Sequence, residues 1–142
     1  MTHFRHVPPV KAVMTPFPHA VALHDSALHA REQMDAHRVR HLPVMKGHEL
    51  AGILSDRDLR DCDPSELPHR TVAELYVPDP FVVDTAEPLD NVLNAMAARH
   101  IGAALVTHKG HLAGIFTTHD ACLWFARYLH EQFRPHPGND AA

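Results

Sequence analysis

Apolar positions change their spacing in a fixed order along the chain, and they do so twice. Short apolar runs broken by proline, TPFPHAVAL at 15–23 and VPDPFVVDT at 77–85, read as extended segments leading into strands. A helical spacing follows each. In the second copy Leu89, Val92, Leu93, Met96 and Ala97 fall at i, i+3, i+4, i+7 and i+8, with Pro88 expected in the first turn, where its missing N–H costs nothing. The first copy, from about Ser26 to His37, is less amphipathic. Next, LPVM (42–45) and LAGILS (50–55) predict a hairpin across KGHE, echoed by ALVT (104–107) and LAGIFT (112–117) across HKGH. A short helix begins after each second strand. After the second copy it runs on, because Ala121, Trp124, Phe125, Tyr128 and Leu129 share one face, until Pro135 and Pro137 end it.

The two passes are one repeat. Shifted by 62 positions without a gap, residues 10–58 meet 72–120 with 12 identities in 49 positions, including LAGI at 50–53 and again at 112–115. Each copy reads strand, helix, strand, strand, helix in about 50 residues, a size that rarely stabilises itself. The expectation is therefore an α+β fold, two β-α-β-β-α repeats packed about a pseudo-twofold axis. The boundaries read as an N-terminal tail (1–8), repeat 1 (9–60), a linker rich in proline and charge (61–70), repeat 2 with its extended helix (71–133) and a disordered tail (134–142).

Composition narrows the function. In 142 residues, 45% hydrophobic and 21% charged residues supply a core, and 13 Lys and Arg against 17 Asp and Glu give a net charge of -4. That balance argues against nucleic acid and anionic membranes as partners. The 15 His add roughly +7 when half are protonated near pH 6.5, enough to reverse the sign. Cys62 and Cys122 form no CxxC pair and read as reduced thiols. With no apolar run approaching 18 residues and no leader-like N-terminus, the expected location is the cytoplasm.

One chemical motif recurs at the same place in both copies. Ser55 and Thr117 end a strand, and Asp58 and Asp120 follow three residues later where a helix opens. One meaning is structural: the hydroxyl caps the helix and the carboxylate returns to the cap amide. The other is a ligand site, since free N–H groups beside a hydroxyl bind phosphate and a carboxylate one turn on accepts from two ribose hydroxyls. The two are compatible.

The runs VMTPFPHAV (13–21), RHLPV (40–44) and GILSDRDL (52–59), in that order and duplicated, resemble a tandem pair of CBS domains, the Bateman module. The resemblance covers 110 to 120 residues and leaves no room for a fused enzyme or transporter. Tyr76-Val77-Pro78 departs from MTP, and Ala103-Ala104-Leu105 departs from HLP. The resemblance implies a free-standing regulatory module that binds AMP, ADP, ATP or S-adenosylmethionine in two clefts between the repeats. It implies one cleft in which Ser55, Arg57 and Asp58 hold phosphate and ribose and Phe81 and Val82 contact the base, and another in which Thr117 and Asp120 do the former and His19 and Ala20 the latter. Arg40, with His41 beside it, is placed by the same resemblance near the phosphates. No required cofactor is expected, only the nucleotide as a regulatory ligand.

Other constellations add little. His3 with His6, His37 with His41 and His108 with His111 have chelating spacings, but no Cys or carboxylate completes a set, so no metal site is expected. HExxH, Walker, GxGxxG and GxSxG patterns are missing, and no catalytic residue is expected. Met14, Met34, Met45 and Met96 read as core filler. The chain is expected to sense adenine nucleotides as a homodimer and to pass occupancy to an unidentified regulated protein. The rival is a ligand-free dimerisation or scaffold module. A small metal- or His-dependent enzyme is a third reading.

Overall fold

The computed structural model describes residues 6–134, so the expected disordered tail at 134–142, apart from Arg134, and the residues before His6 lie outside the described residues. After a 3-10 turn at Val10–Ala12 come β1 (Thr15–Pro16), β2 (Val21–Ala22), α1 (Ala27–His37), β3 (His41–Lys46), β4 (Glu49–Ser55) and α2 (Asp56–Arg60). A second 3-10 turn, Pro64–His69, leads to α3 (Val72–Leu75), β5 (Val82–Asp84), α4 (Leu89–Arg99), β6 (Ala103–His108), β7 (His111–Thr117) and α5 (Thr118–Phe133). Each half thus shows the expected β-α-β-β-α order, as β2-α1-β3-β4-α2 and β5-α4-β6-β7-α5. Both hairpins form. In the second, Lys109 (φ 51°) and Gly110 (φ 80°) take the two positive-φ positions of a tight turn whose twist suits the strands.

One sheet is ordered β2-β3-β4 and the other β1-β7-β6-β5. Strand alternation explains why these runs are apolar on every residue: each sheet is covered on both faces. Leu42, Val44 and Leu54 point to one core with Ala30 and Met34 of α1. Ala104, Val106 and Phe116 point to a second core with Val92 and Met96 of α4. The opposite faces meet between the halves, where Leu50 and Ile53 pack on Leu105 and Ile115.

The halves exchange their opening segments. Val10 and Val13, at the start of repeat 1, are buried in the second core, and Val72 of repeat 2 is buried in the first. β1 pairs with β7, while Val77 exchanges backbone hydrogen bonds of 3.0 and 2.8 Å with Ile53 of β4. These crossings require glycine in the shared LAGI run. A Cβ on Gly52 would overlap the Val77 carbonyl oxygen, and one on Gly114 would overlap Met14 Sδ and lie 2.9 Å from the Thr15 carbonyl oxygen.

Two local expectations are adjusted. The segment 61–70 is not merely an exposed connection, because Cys62 and Leu67 are buried in the first core. Pro88 is the N-cap of α4 rather than a first-turn residue, and its φ of -59° and ψ of 136° lie outside the helix. α1 gains a local start from Ser26, whose Oγ accepts from His29 N at 3.0 Å.

Candidate functional site

The recurring hydroxyl and carboxylate sit where β4 becomes α2 and β7 becomes α5. Ser55 Oγ accepts from Asp58 N at 3.2 Å, and Asp58 Oδ2 accepts from Ser55 N and Oγ at 2.8 and 2.9 Å. Thr117 and Asp120 repeat the arrangement, with Oδ2 accepting at 2.9 and 3.1 Å and the hydroxyl accepting from Asp120 N at 3.2 Å. Both are complete capping boxes, so the structural meaning of the motif is realised in each half. Each box engages only one carboxylate oxygen, which leaves Oδ1 for a further donor.

The halves differ at that Oδ1. Thr15, carried across on β1, donates its hydroxyl to Asp120 Oδ1 at 3.3 Å. Its repeat counterpart, Val77, has no hydroxyl to offer Asp58. Thr15 was missed as a site residue by sequence reasoning, although it stands in the VMTP run; nothing in a linear reading says that this segment crosses to the other half.

Arg40 and His41 lie beside the first box. His41 is paired in register with Ser55, and Asp56 N donates to the Arg40 carbonyl oxygen at 2.9 Å. Burial pushes the His41 pKa below its ordinary value; Asp56 and Asp58 oppose that shift and Arg40 adds to it. The imidazole abuts the second half, since a Cβ on Gly102 would lie 3.5 Å from its Cε1. Gly102 is the counterpart of Arg40, and it was also missed. Arg57 and Arg40 are exposed, as is His119, the counterpart of Arg57.

The expected base-contacting residues lie on the segments that return from each crossing. Val82 opens β5 and is exposed; Phe81 just before it packs partly on the second core and carries the Arg99 guanidinium over its ring, 4.5 Å from the centroid. His19 and Ala20 precede β2, both exposed, and His19 stacks on His37 with centroids 3.4 Å apart. The structure therefore joins Ser55 with Asp58 and His41, and Thr117 with Asp120 and Thr15, while His19, Ala20, Phe81 and Val82 lie along the connecting segments without a hydrogen bond to either carboxylate among those observed.

The chelating pairs fare differently. His37 is engaged by His19, His108 Nδ1 lies 3.2 Å from Thr85 Oγ1, and His3 lies outside the described residues. No cluster of three or more His, Cys, Asp or Glu suited to a metal forms among the described residues. Cys62 is buried and Cys122 exposed, both as free thiols. No helix among the described residues is long and apolar enough to cross a membrane.

The sequence profile of the CBS domain matches residues 10–64 and 72–127, the two repeats. The chain belongs to the CBS-domain family. No curated protein sequence matches it. As a CBS pair it is similar to solved structures. A candidate acetoin utilization protein (AcuB) from Vibrio cholerae has a TM-score of 0.82 at 27% identity, covering 93% of this chain and 100% of that one. CBSX2 in complex with AMP gives 0.75 at 26%, covering 85% and 98%. The CBS domain of the bacterial CNNM/CorC family Mg2+ transporter in complex with ATP gives 0.72 at 26%, covering 81% and 84%.

Proposed function

We propose that this CBS pair is a regulatory module that binds an adenine nucleotide in two clefts, one around Ser55, Arg57 and Asp58 and one around Thr117 and Asp120. The carrying observation is the geometry common to both halves: a capped Asp keeps Oδ1 outside its box while the opening segment of the other repeat pairs with the strand that ends in that box. The AMP and ATP complexes of similar CBS structures support the same ligand class, and S-adenosylmethionine shares its adenosine group. Ribose hydroxyls donating to Oδ1 would extend each box instead of dismantling it. Arg40 supplies positive charge near the first box, and His41, whose pKa burial lowers, adds a ring that can donate or accept a hydrogen bond. A ligand shifts the packing of the two halves only by binding one arrangement more tightly, and a regulated partner would read that arrangement.

A thermal-shift series with AMP, ADP, ATP and S-adenosylmethionine tests the reading. Ligand at about 100 times its dissociation constant adds roughly 2.7 kcal/mol of stability. No shift with any of them favours a ligand-free dimerisation or scaffold module, a second reading that rests on both boxes being complete without ligand.

Self-association belongs to either reading. Phe125, Tyr128, Leu129 and Leu93 leave a large apolar surface on α4 and α5, with Phe125 61% exposed. A second copy of the chain is the proposed occupant, because a patch of this kind is rare on a monomer and a twofold dimer would bury the same patch of both copies against each other. Light scattering should give about twice 15.9 kDa at tens of micromolar; a monomer mass would contradict it.

A further inference from the structure

The repeat offset pairs His19 with Phe81 and His37 with Arg99. In the first half the two imidazoles stack, centroids 3.4 Å apart and planes 9° from parallel. In the second the Arg99 guanidinium covers the Phe81 ring at 4.5 Å from its centroid. Residue types differ at both positions, yet the arrangement is the same. A ring on the segment returning from the crossing is covered by a flat group from the last residue of the following helix. His37 ends α1 and Arg99 ends α4, and both are followed by a left-handed residue, Arg38 at φ 54° and His100 at φ 53°.

Core packing does not explain the pairs, since His19, His37 and Arg99 are all exposed. Exposed stacks and cation–π contacts contribute little to folding. Their common position suggests a different use. His19 and Phe81 are the residues set against the base in the proposed clefts, and a base stacks best on a ring already held flat.

Resting on the adenine-nucleotide reading, we infer that His37 and Arg99 are positioning residues. Each covers one side of the ring that meets the base, so that a purine adds a third layer to a preformed two-layer stack. The two walls are chemically unequal. Phe81 is backed by a permanent cation, and His19 by a second imidazole.

Asp120→Ala leaves only the Ser55 cleft, and Asp58→Ala leaves only the Thr117 cleft. Calorimetry at pH 8 with AMP, ATP and CMP then isolates each wall. In the Asp120→Ala background, Arg99→Gln should weaken AMP and ATP by the same factor, about fivefold, and CMP less, because a pyrimidine offers less stacking area. Arg99→Lys, which keeps the cation, should recover part of the loss. In the Asp58→Ala background, His37→Ala should lower AMP affinity, whereas the exchange pair His19→Phe with His37→Arg should keep it by installing the other wall. A larger loss for ATP than for AMP would place Arg99 on the phosphates and overturn the inference. So would an unchanged ratio of AMP to CMP affinity with a lowered melting temperature. Failure of the unsubstituted protein to bind AMP overturns the nucleotide reading and this inference together; AMP binding with an unaltered AMP to CMP ratio overturns this inference alone.

Discussion

The first half ends β4 with Ser55 and a five-residue α2, while the second ends β7 with Thr117 and a sixteen-residue α5. Their capping boxes agree within 0.2 Å at every corresponding hydrogen bond. Their surroundings do not agree. The segment that crosses onto the second half brings a threonine that already holds Asp120 Oδ1, whereas the one that crosses onto the first half carries a valine, Val77, at the corresponding position. Outward from the core, the contrast is larger. Among the described residues α1 and α2 expose no large hydrophobic side chain, whereas α4 and α5 expose Leu93, Leu123, Phe125, Tyr128, Leu129 and Phe133. The two halves share the capping box and the crossed-over opening segment, and their outer faces differ. The first half is left with a carboxylate open on one side, and the second with a surface suited to contact.

The largest effect expected concerns the feature the halves share, the crossing. Gly52→Ala places a methyl on the Val77 carbonyl and against the Tyr76 ring, and a rigid backbone oxygen cannot step aside. A loss of about 2–4 kcal/mol in chemical denaturation is expected, in line with strained or overpacked core positions. Gly114→Ala should lose less, because the nearest obstacle is the flexible Met14 sulfur. Equal losses would mean that the two crossings are interchangeable. A second prediction sharpens the contrast of the outer faces: Phe125→Asp should weaken self-association at least about tenfold, since burying an unpaired carboxylate is costly. Asp35→Lys on exposed α1 should leave the mass in light scattering unchanged. If both substitutions act alike, the apolar face of the second half is not the contact.

Local features were legible before the structure. The hairpins, the αβ order and the boxes at Ser55 and Thr117 follow from residues within a few positions of each other, and capping and turn chemistry is local. The crossing was not legible. A repeat whose opening segment folds onto its own half has the same periodicity as one whose segment folds onto the other, and only tertiary packing of Val10 and Val72 decides between them. Leu67 was hidden for a similar reason, being a single apolar residue in a polar, proline-rich stretch that a 3-10 turn brings onto the core. The cleft residues divide along the same line: Ser55 and Asp58 meet by spacing, but Thr15 reaches Asp120 across 105 positions.

The smallest predicted effect lies at the seam, where His41 has no imidazole counterpart because Ala103 takes its place. Burial lowers the folded-state pKa of His41 below its unfolded value near 6.5. Its contribution to stability is therefore fully present above about pH 6.5 and is lost as the pH falls through the lowered folded value. Between pH 7 and 5 the protein should lose more stability than His41→Gln does, and the other histidines, common to both, cancel in the comparison. Parallel stability curves would show that His41 titrates in the folded protein as it does in the unfolded chain.

The central claim is that both halves make a nucleotide cleft from an Asp at the start of a helix and a segment crossed over from the other repeat. Calorimetric titration of AMP into the unsubstituted protein, Asp58→Ala, Asp120→Ala and the double variant tests it directly. A carboxylate accepting from ribose hydroxyls contributes about 1.5–3 kcal/mol, against nearer 1 for the return bond of a cap. Two sites should become one in each single variant and none in the double, with affinity at the altered cleft falling more than tenfold and the fold retained. Unchanged AMP affinity in the single variants, with a sharp loss of stability, would show that Asp58 and Asp120 are helix caps only and would contradict the account.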